Sequence, residues 1–314
     1  MTTALIFPGQ GSQAVGMGKS LAEAFPAARA VFDEVDAALS QKLSTLMFEG
    51  PAEELTLTAN AQPALMAASL AVVKVLEAEA GFSLKRDAAF VAGHSLGEYS
   101  ALAAAGAFSI SDAARLLRIR GDAMQKAVPA GEGAMAALLG VELDKARELA
   151  AEAAQGQVCE AANDNGGGQV VLSGAKAAIE RAIALAPERG IKRALSLPVS
   201  APFHCALMQP AADAMRDALA KVEVRAPVVP VMANVGAAPL SDPDAIRASL
   251  VAQVTGTVRW RECVLALADA GVTRFIEVGS GKVLAGLVKR IAAGASAISI
   301  GTADDIKSYG TPNG

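Results

Sequence analysis

The segment Ala88-Ala89-Phe90-Val91-Ala92-Gly93-His94-Ser95-Leu96-Gly97-Glu98 joins an apolar run of strand character to a helical pattern through Gly-x-Ser-x-Gly. A strand, a glycine-flanked turn and a helix form the context that a nucleophile elbow requires. The glycines remove Cβ atoms where a sharp turn would crowd them, and the strain lifts the Ser95 hydroxyl clear of the sheet. The amide of Leu96 can then serve as an oxyanion donor, with the positive end of the next helix behind it. The competing reading is a tight turn around a buried serine.

Working outward, Leu5-Ile6-Phe7 reads as a short buried strand followed by a glycine-rich turn and a helix over 19–39. A second helix is expected over 61–80, another over 98–105, and a further one running to about Lys126, capped by Ser109 or Ser111. Strand signals return at 228–233, 273–278 and 297–300, each next to a helix. This alternation predicts an α/β fold with a mainly parallel sheet. The middle of the chain differs. Strands over 134–139, 169–172 and 192–197, separated by helices over 143–154 and 175–187, give a β-α-β-α-β order that fits a small ferredoxin-like α+β insert. The expected division is therefore 1–127 with 199–314 as the larger α/β unit, and 128–198 as the insert.

Composition narrows the function. Among 314 residues, 53% are hydrophobic and 19% charged, enough apolar material for a packed core. Only 4% are aromatic and the net charge is −4, which gives neither a base-stacking surface nor an electrostatic footprint for nucleic acid. No run approaches the roughly 20 uncharged apolar residues of a membrane span, and the start carries no basic n-region. Cys159, Cys205 and Cys263 are widely spaced without metal spacing, so a reduced cytoplasmic protein without a metal site is expected. Cys205 is assigned to packing.

A serine nucleophile needs a base, and His94 and His204 are the two histidines present. Neighbours on a sharp turn point apart, so His94 is assigned to support of the elbow. His204 ends Pro198-Val199-Ser200-Ala201-Pro202-Phe203-His204, a loop stiffened by two prolines. It reads as the base, against the alternative of a loop histidine that satisfies local hydrogen bonds. On the helix ending at Lys126, Ala113, Leu116, Leu117 and Met124 share one apolar face at 100° per residue, and Arg120 sits in its middle. A guanidinium aimed into a core needs a carboxylate. That carboxylate is either a structural Asp or Glu, or part of a substrate held by the planar fork.

Glycine-rich stretches also invite nucleotide readings, and both fail. Gly9-x-Gly11-x-x-Ala14 has Pro8 in its turn, and the acids that follow (Asp33, Glu34, Asp36) lie in a helix rather than at a strand end. Gly281-Lys282 is followed by Val283, which has no hydroxyl for magnesium.

At this point the residues closely resemble one family, the bacterial malonyl-CoA:acyl carrier protein transacylases of fatty acid synthesis. The carriers of the resemblance run in family order: Phe7-Pro8-Gly9-Gln10-Gly11-Ser12-Gln13, Gly93-His94-Ser95-Leu96-Gly97-Glu98-Tyr99, Arg118-Ile119-Arg120-Gly121 and Val199-Ser200-Ala201-Pro202-Phe203-His204. Gln253-Val254-Thr255 before Val258-Arg259-Trp260, and Glu277-Val278-Gly279-Ser280-Gly281-Lys282-Val283-Leu284, complete the set. One departure is Gly279-Ser280-Gly281, where the family commonly has Gly-Pro-Gly.

The resemblance implies a hydrolase-like α/β core with the small ferredoxin-like insert. It implies Ser95 as nucleophile, His204 as base, the amides of Gln10 and Leu96 as oxyanion hole, and Arg120 as the malonyl carboxylate site. A backbone carbonyl near Gln253 would orient the histidine, making a Ser-His dyad. The substrate would be a coenzyme A thioester, malonyl-CoA, with no permanently bound cofactor. Acyl carrier protein would be the partner, with neither nucleic acid nor membrane. Phe203 before the histidine tends to accompany malonyl rather than methylmalonyl use. Carrier proteins are acidic, so Lys192, Arg193, Lys289 and Arg290 are candidate docking residues. The runner-up function is a serine thioesterase or esterase using the same Ser-His pair, and a non-catalytic carrier-binding module is a third. Arg120 tilts against the esterase, and the joint presence of Ser95 and His204 against the module.

Overall fold

Thr2–Phe7 (β1) lies at the centre of a six-stranded sheet, between Phe90–Gly93 (β2) and, on its other side, Val272–Val278 (β9). The structure, a computed structural model, describes residues 1–310, so the end of the larger expected unit, 311–314, lies outside the described residues. Between β2 and β9 in the chain come Gly133–Leu139 (β3), Cys159–Gly166 (β4), Gln169–Ala175 (β5), Arg193–Ser196 (β6), Val231–Ala233 (β7) and Ala238–Leu240 (β8). Ser296–Ile300 (β10) follows β9. The large sheet has the order β10-β9-β1-β2-β7-β8, parallel throughout except for the β7–β8 pair. Leu5 and Phe7 enter one buried cluster while Ala4 and Ile6 enter another on the opposite face. A strand buried on both faces reads as a continuous apolar run, as Ala4-Leu5-Ile6-Phe7 does.

The small sheet is antiparallel, in the order β4-β5-β3-β6, with Leu143–Ala154 and Lys176–Leu185 as its helices. Its chain order is β-α-β-β-α-β, the full ferredoxin-like arrangement. The expected β-α-β-α-β order lacked β4. That strand reads Cys-Glu-Ala-Ala-Asn-Asp-Asn-Gly, and its buried positions include the polar Asn163 and Asp164, so the apolar signal is missing. Asp164 pairs with Arg261 at 2.8 Å, and the amide of Asp164 donates to Val258 O at 2.9 Å, tying the small sheet to the start of the helix Trp260–Asp269.

Other expectations shift at helix ends. The single helix expected over 19–39 is two, Lys19–Ala24 and Pro26–Leu39. Pro26 disfavours helical geometry at the residue before it, and Phe25 is extended there. Ser109, not Ser111, caps Ile110–Lys126, its hydroxyl accepting the Asp112 amide. Thr58–Glu79 is the one described helix long and apolar enough to cross a membrane, and 83% of its apolar window is buried inside the fold. It packs at its start against Ile110–Lys126, where a Cβ on Gly121 would meet Ala59 Cα at 2.6 Å. That close approach brings Arg120 beside Gln62.

Candidate active site

Phe7 pairs with Gly93 at the ends of β1 and β2, and the chain turns sharply after each. A Cβ on Gly93 would lie 1.9 Å from the Gly97 carbonyl, and one on Gly97 would lie 2.3 Å from Phe7 O, so only glycines close this turn. Between them Ser95 adopts a left-handed φ of 54°, a strained conformation for a residue with a Cβ. Asn234, just past β7, clamps the turn: its side chain accepts the Ser95 amide at 2.8 Å and donates to Gly93 O at 2.7 Å.

His204 is the second strained residue, with φ 58°, and it is buried. Its Nδ1–H donates to the Gln253 carbonyl at 2.9 Å, which leaves Nε2 to accept the Ser95 hydroxyl at 2.7 Å. Burial first, and the Arg120 charge second, push the imidazole down to about 3, so it is neutral and able to take a proton across the ordinary pH range.

Arg120 is 1% exposed. Nη1 donates to Gln62 Oε1 at 2.8 Å, and Nη2 donates to Gln253 Oε1 at 2.9 Å and to Ser95 Oγ at 3.1 Å. The guanidinium carbon lies 5.6 Å from the Tyr99 ring centroid, and Nε has no hydrogen-bond partner among the described residues. Every described acceptor is neutral. Among the described residues no carboxylate forms an ion pair with Arg120, so the structural salt bridge is not what holds this charge.

The remaining expected residues fall around this centre. Gln10 and Leu96 each stand three residues past the paired Phe7 and Gly93, on turns packed against one another. Gln10 Nε2 donates to Thr58 Oγ1 at 3.2 Å, and Thr58 shares a 3.1 Å hydrogen bond with Ser200 of the histidine loop. His94 donates from Nε2 to Asn165 Oδ1 at 2.9 Å, and burial pushes its imidazole below the ordinary value. Phe203 and Cys205 are buried, and the Cys205 thiol donates to Pro202 O at 3.2 Å. Lys192, Arg193, Lys289 and Arg290 are all exposed. Arg290 packs against Gly167 in the β4–β5 turn, two residues from Asn165. Arg193 pairs with Leu139, which pairs with Gln169 at the same end of the small sheet.

Four polar residues at the centre were not foreseen: Gln62, Glu98, Asn165 and Asn234. For Gln62 a signal exists, since it interrupts an apolar helical stretch, as Arg120 does. Asn165 and Asn234 reach the elbow across 71 and 139 residues of chain, a juxtaposition that no local pattern encodes.

A serine on a sharp turn at the end of a mainly parallel sheet, hydrogen-bonded to a neutral histidine and with a buried cation at its side, is the arrangement expected of an acyl-transferring enzyme. Residues 4–311 match the acyl transferase domain family. The chain is 49% identical to the malonyl CoA-acyl carrier protein transacylase of Bacillus subtilis (strain 168), over 92% of this chain and 90% of that one. It superposes with a TM-score of 0.96 on the crystal structure of an acyl-carrier-protein-S-malonyltransferase from Bartonella henselae, at 57% identity and with 98% of each chain covered. A malonyl-transacylase solved in complex with a type II PKS acyl-carrier protein gives a TM-score of 0.94 at 42% identity, again with 98% of each chain covered. The chain belongs to the malonyl CoA-acyl carrier protein transacylase family.

Proposed function

We propose that the chain transfers the malonyl group of malonyl-CoA to the phosphopantetheine thiol of acyl carrier protein, in fatty acid biosynthesis, through an ester on Ser95. The observation that carries this reading is the buried Arg120 guanidinium, which has only neutral acceptors and lies 3.1 Å from the nucleophilic oxygen. A dicarboxylic acyl group brings the missing carboxylate to that fork.

In the first half-reaction Ser95 Oγ attacks the thioester carbonyl as its proton passes to His204 Nε2. The amides of Gln10 and Leu96 hold the resulting oxyanion. Collapse breaks the C–S bond, and the imidazolium returns its proton to the leaving thiolate. The second half-reaction runs the same steps with the carrier's thiol as nucleophile. The Gln253 carbonyl keeps His204 in the required tautomer without an aspartate. No permanently bound cofactor is needed, and the coenzyme A thioester enters as substrate. A cytoplasmic protein acting apart from membrane and nucleic acid suits this chemistry. The insert, 128–198, is assigned as a separate unit that brings Asn165 against the elbow.

Brief mixing with malonyl-CoA or acetyl-CoA, followed by intact-protein mass, tests the reading. One malonyl adduct on Ser95, formed faster than the acetyl adduct, is expected. Free coenzyme A released equally from both donors with no adduct would instead indicate the thioesterase.

Lys192, Arg193, Lys289 and Arg290 are proposed to dock the acidic carrier protein. Reversing all four charges is expected to slow transfer to carrier protein about tenfold or more at low salt, and to leave acylation by malonyl-CoA unchanged. Transfer at the wild-type rate would remove them from the dock.

A further inference from the structure

Gln253 touches three parts of the site at once. Its carbonyl holds His204, its side-chain Nε2 donates to Ser95 O at 3.0 Å and to Glu98 Oε2 at 2.8 Å, and its Oε1 accepts from Arg120 at 2.9 Å. An amide has a donor end and an acceptor end, so its orientation decides whether Arg120 meets an acceptor or another donor. Glu98 and the Ser95 carbonyl, both acceptors, face the donor end and fix that orientation, and of the two only Glu98 carries a charge. It is 1% exposed, it takes the Asn234 amide at 3.0 Å as well as Gln253 Nε2, and an ionised carboxylate can only accept. Its negative charge also stands one amide away from the guanidinium. There it offsets part of the cost of a buried cation without occupying the fork.

We propose that Glu98 is the positioning residue for acyl selection: it locks the Gln253 amide with its oxygen toward Arg120 and leaves the guanidinium open to the substrate's terminal carboxylate. The proposal rests on Arg120 being the carboxylate site.

Burial pushes the Glu98 carboxyl up to about 7, against the Asn234 and Gln253 hydrogen bonds and the Arg120 charge. The charged or titratable groups that face it are Arg120 from Ile110–Lys126, Tyr99 from its own helix and Cys263 from Trp260–Asp269. Burial holds the Tyr99 and Cys263 protons well above neutrality, so of these groups only Glu98 changes charge between pH 6 and 8. A protonated Glu98 loses the charge that strengthens its bond to Gln253 Nε2 and gains a hydrogen that competes for the Gln253 oxygen, so the amide is held less firmly with that oxygen toward Arg120. Acid therefore weakens selection.

The test is the ratio of malonyl to acetyl acylation rates on Ser95, by quenched intact mass between pH 8 and 6, for wild type, Glu98→Gln and Arg120→Ala. The coenzyme A phosphates are common to both donors and cancel in the ratio, and Glu98→Gln, which keeps both His204 and Arg120, isolates any pH dependence that His204 adds. The wild-type ratio is expected to fall at least about tenfold toward pH 6, the scale of losing one hydrogen bond to a charged group. Glu98→Gln, which mimics the protonated carboxyl, should show the low ratio at every pH. A flat wild-type ratio overturns the proposal, as does a Glu98→Gln ratio equal to wild type or a parallel loss of both rates. If Arg120→Ala keeps its malonyl preference, the reading of Arg120 itself fails. If only Arg120→Ala loses it, the failure is confined to Glu98.

Discussion

Ser95→Ala is expected to leave no covalent malonyl-enzyme and to lower malonyl transfer by about 10⁴- to 10⁶-fold, the range seen when one member of a nucleophile–base unit is removed. His204→Ala should cost nearly as much, because Nε2 at 2.7 Å is the described acceptor for the hydroxyl proton. The double variant is expected to be no worse than either single one. Two residues that act as one unit lose their effect together, and residual turnover would then come from binding and the proposed oxyanion amides alone. Cys205, next in the chain to the base, cannot substitute as nucleophile. Its thiol is buried, donates to Pro202 O, and is held by burial above its ordinary value, far from the thiolate that would attack. Stopped-time intact mass and release of free coenzyme A check both statements. A malonyl adduct on Ser95→Ala, or singly defective variants whose losses multiply in the double, would place the nucleophile elsewhere.

The dyad and the arginine were legible because each breaks a local rule for a chemical reason. Ser95 stands in a turn that glycines alone can close, His204 is one of two histidines, and Arg120 is a charge on an apolar face. The parallel sheet was legible because β1 is buried enough to read as an apolar run and because strand signals alternate with helices along the chain. What stayed hidden was polar structure that is buried by partners rather than by pattern. β4 looks like a loop in sequence, because Asn163 and Asp164 are buried against Val258 and Arg261, which lie almost a hundred residues away. Glu98 looks like an ordinary first-turn acid at a helix N-terminus. Its burial follows from β7, which carries Asn234 into the elbow, and from Pro243–Thr255, which carries Gln253. Residue types announced the chemistry, whereas the supports of that chemistry depend on chain-distant contacts.

Arg120→Ala is expected to lower malonylation of Ser95 by about 10²- to 10⁴-fold, the cost of stripping one partner from a buried charge pair at 1.36 kcal/mol per tenfold. Acetylation should hold or rise. An acetyl group never uses the guanidinium, and the variant frees the Ser95 oxygen from the 3.1 Å hydrogen bond that Arg120 donates to it. The same substitution should also move a pH limb. The Arg120 charge is the second cause, after burial, of the low His204 value. Acetylation by wild type should therefore persist well below the ordinary imidazole range before protonation of Nε2 halts it. Without the positive neighbour the imidazolium is less disfavoured, so the acid limb of Arg120→Ala should lie at higher pH. A limb that stays in place would mean that burial alone sets His204. The direction of this coupling also bears on turnover. On the proposed reading, a malonyl carboxylate seated on Arg120 would cancel the charge that depresses His204, so the base would become more basic once the correct acyl group is bound. The gain would arrive when His204 must take the serine proton and then hold it for the departing thiolate, which would make acyl recognition and proton transfer consequences of one ion pair.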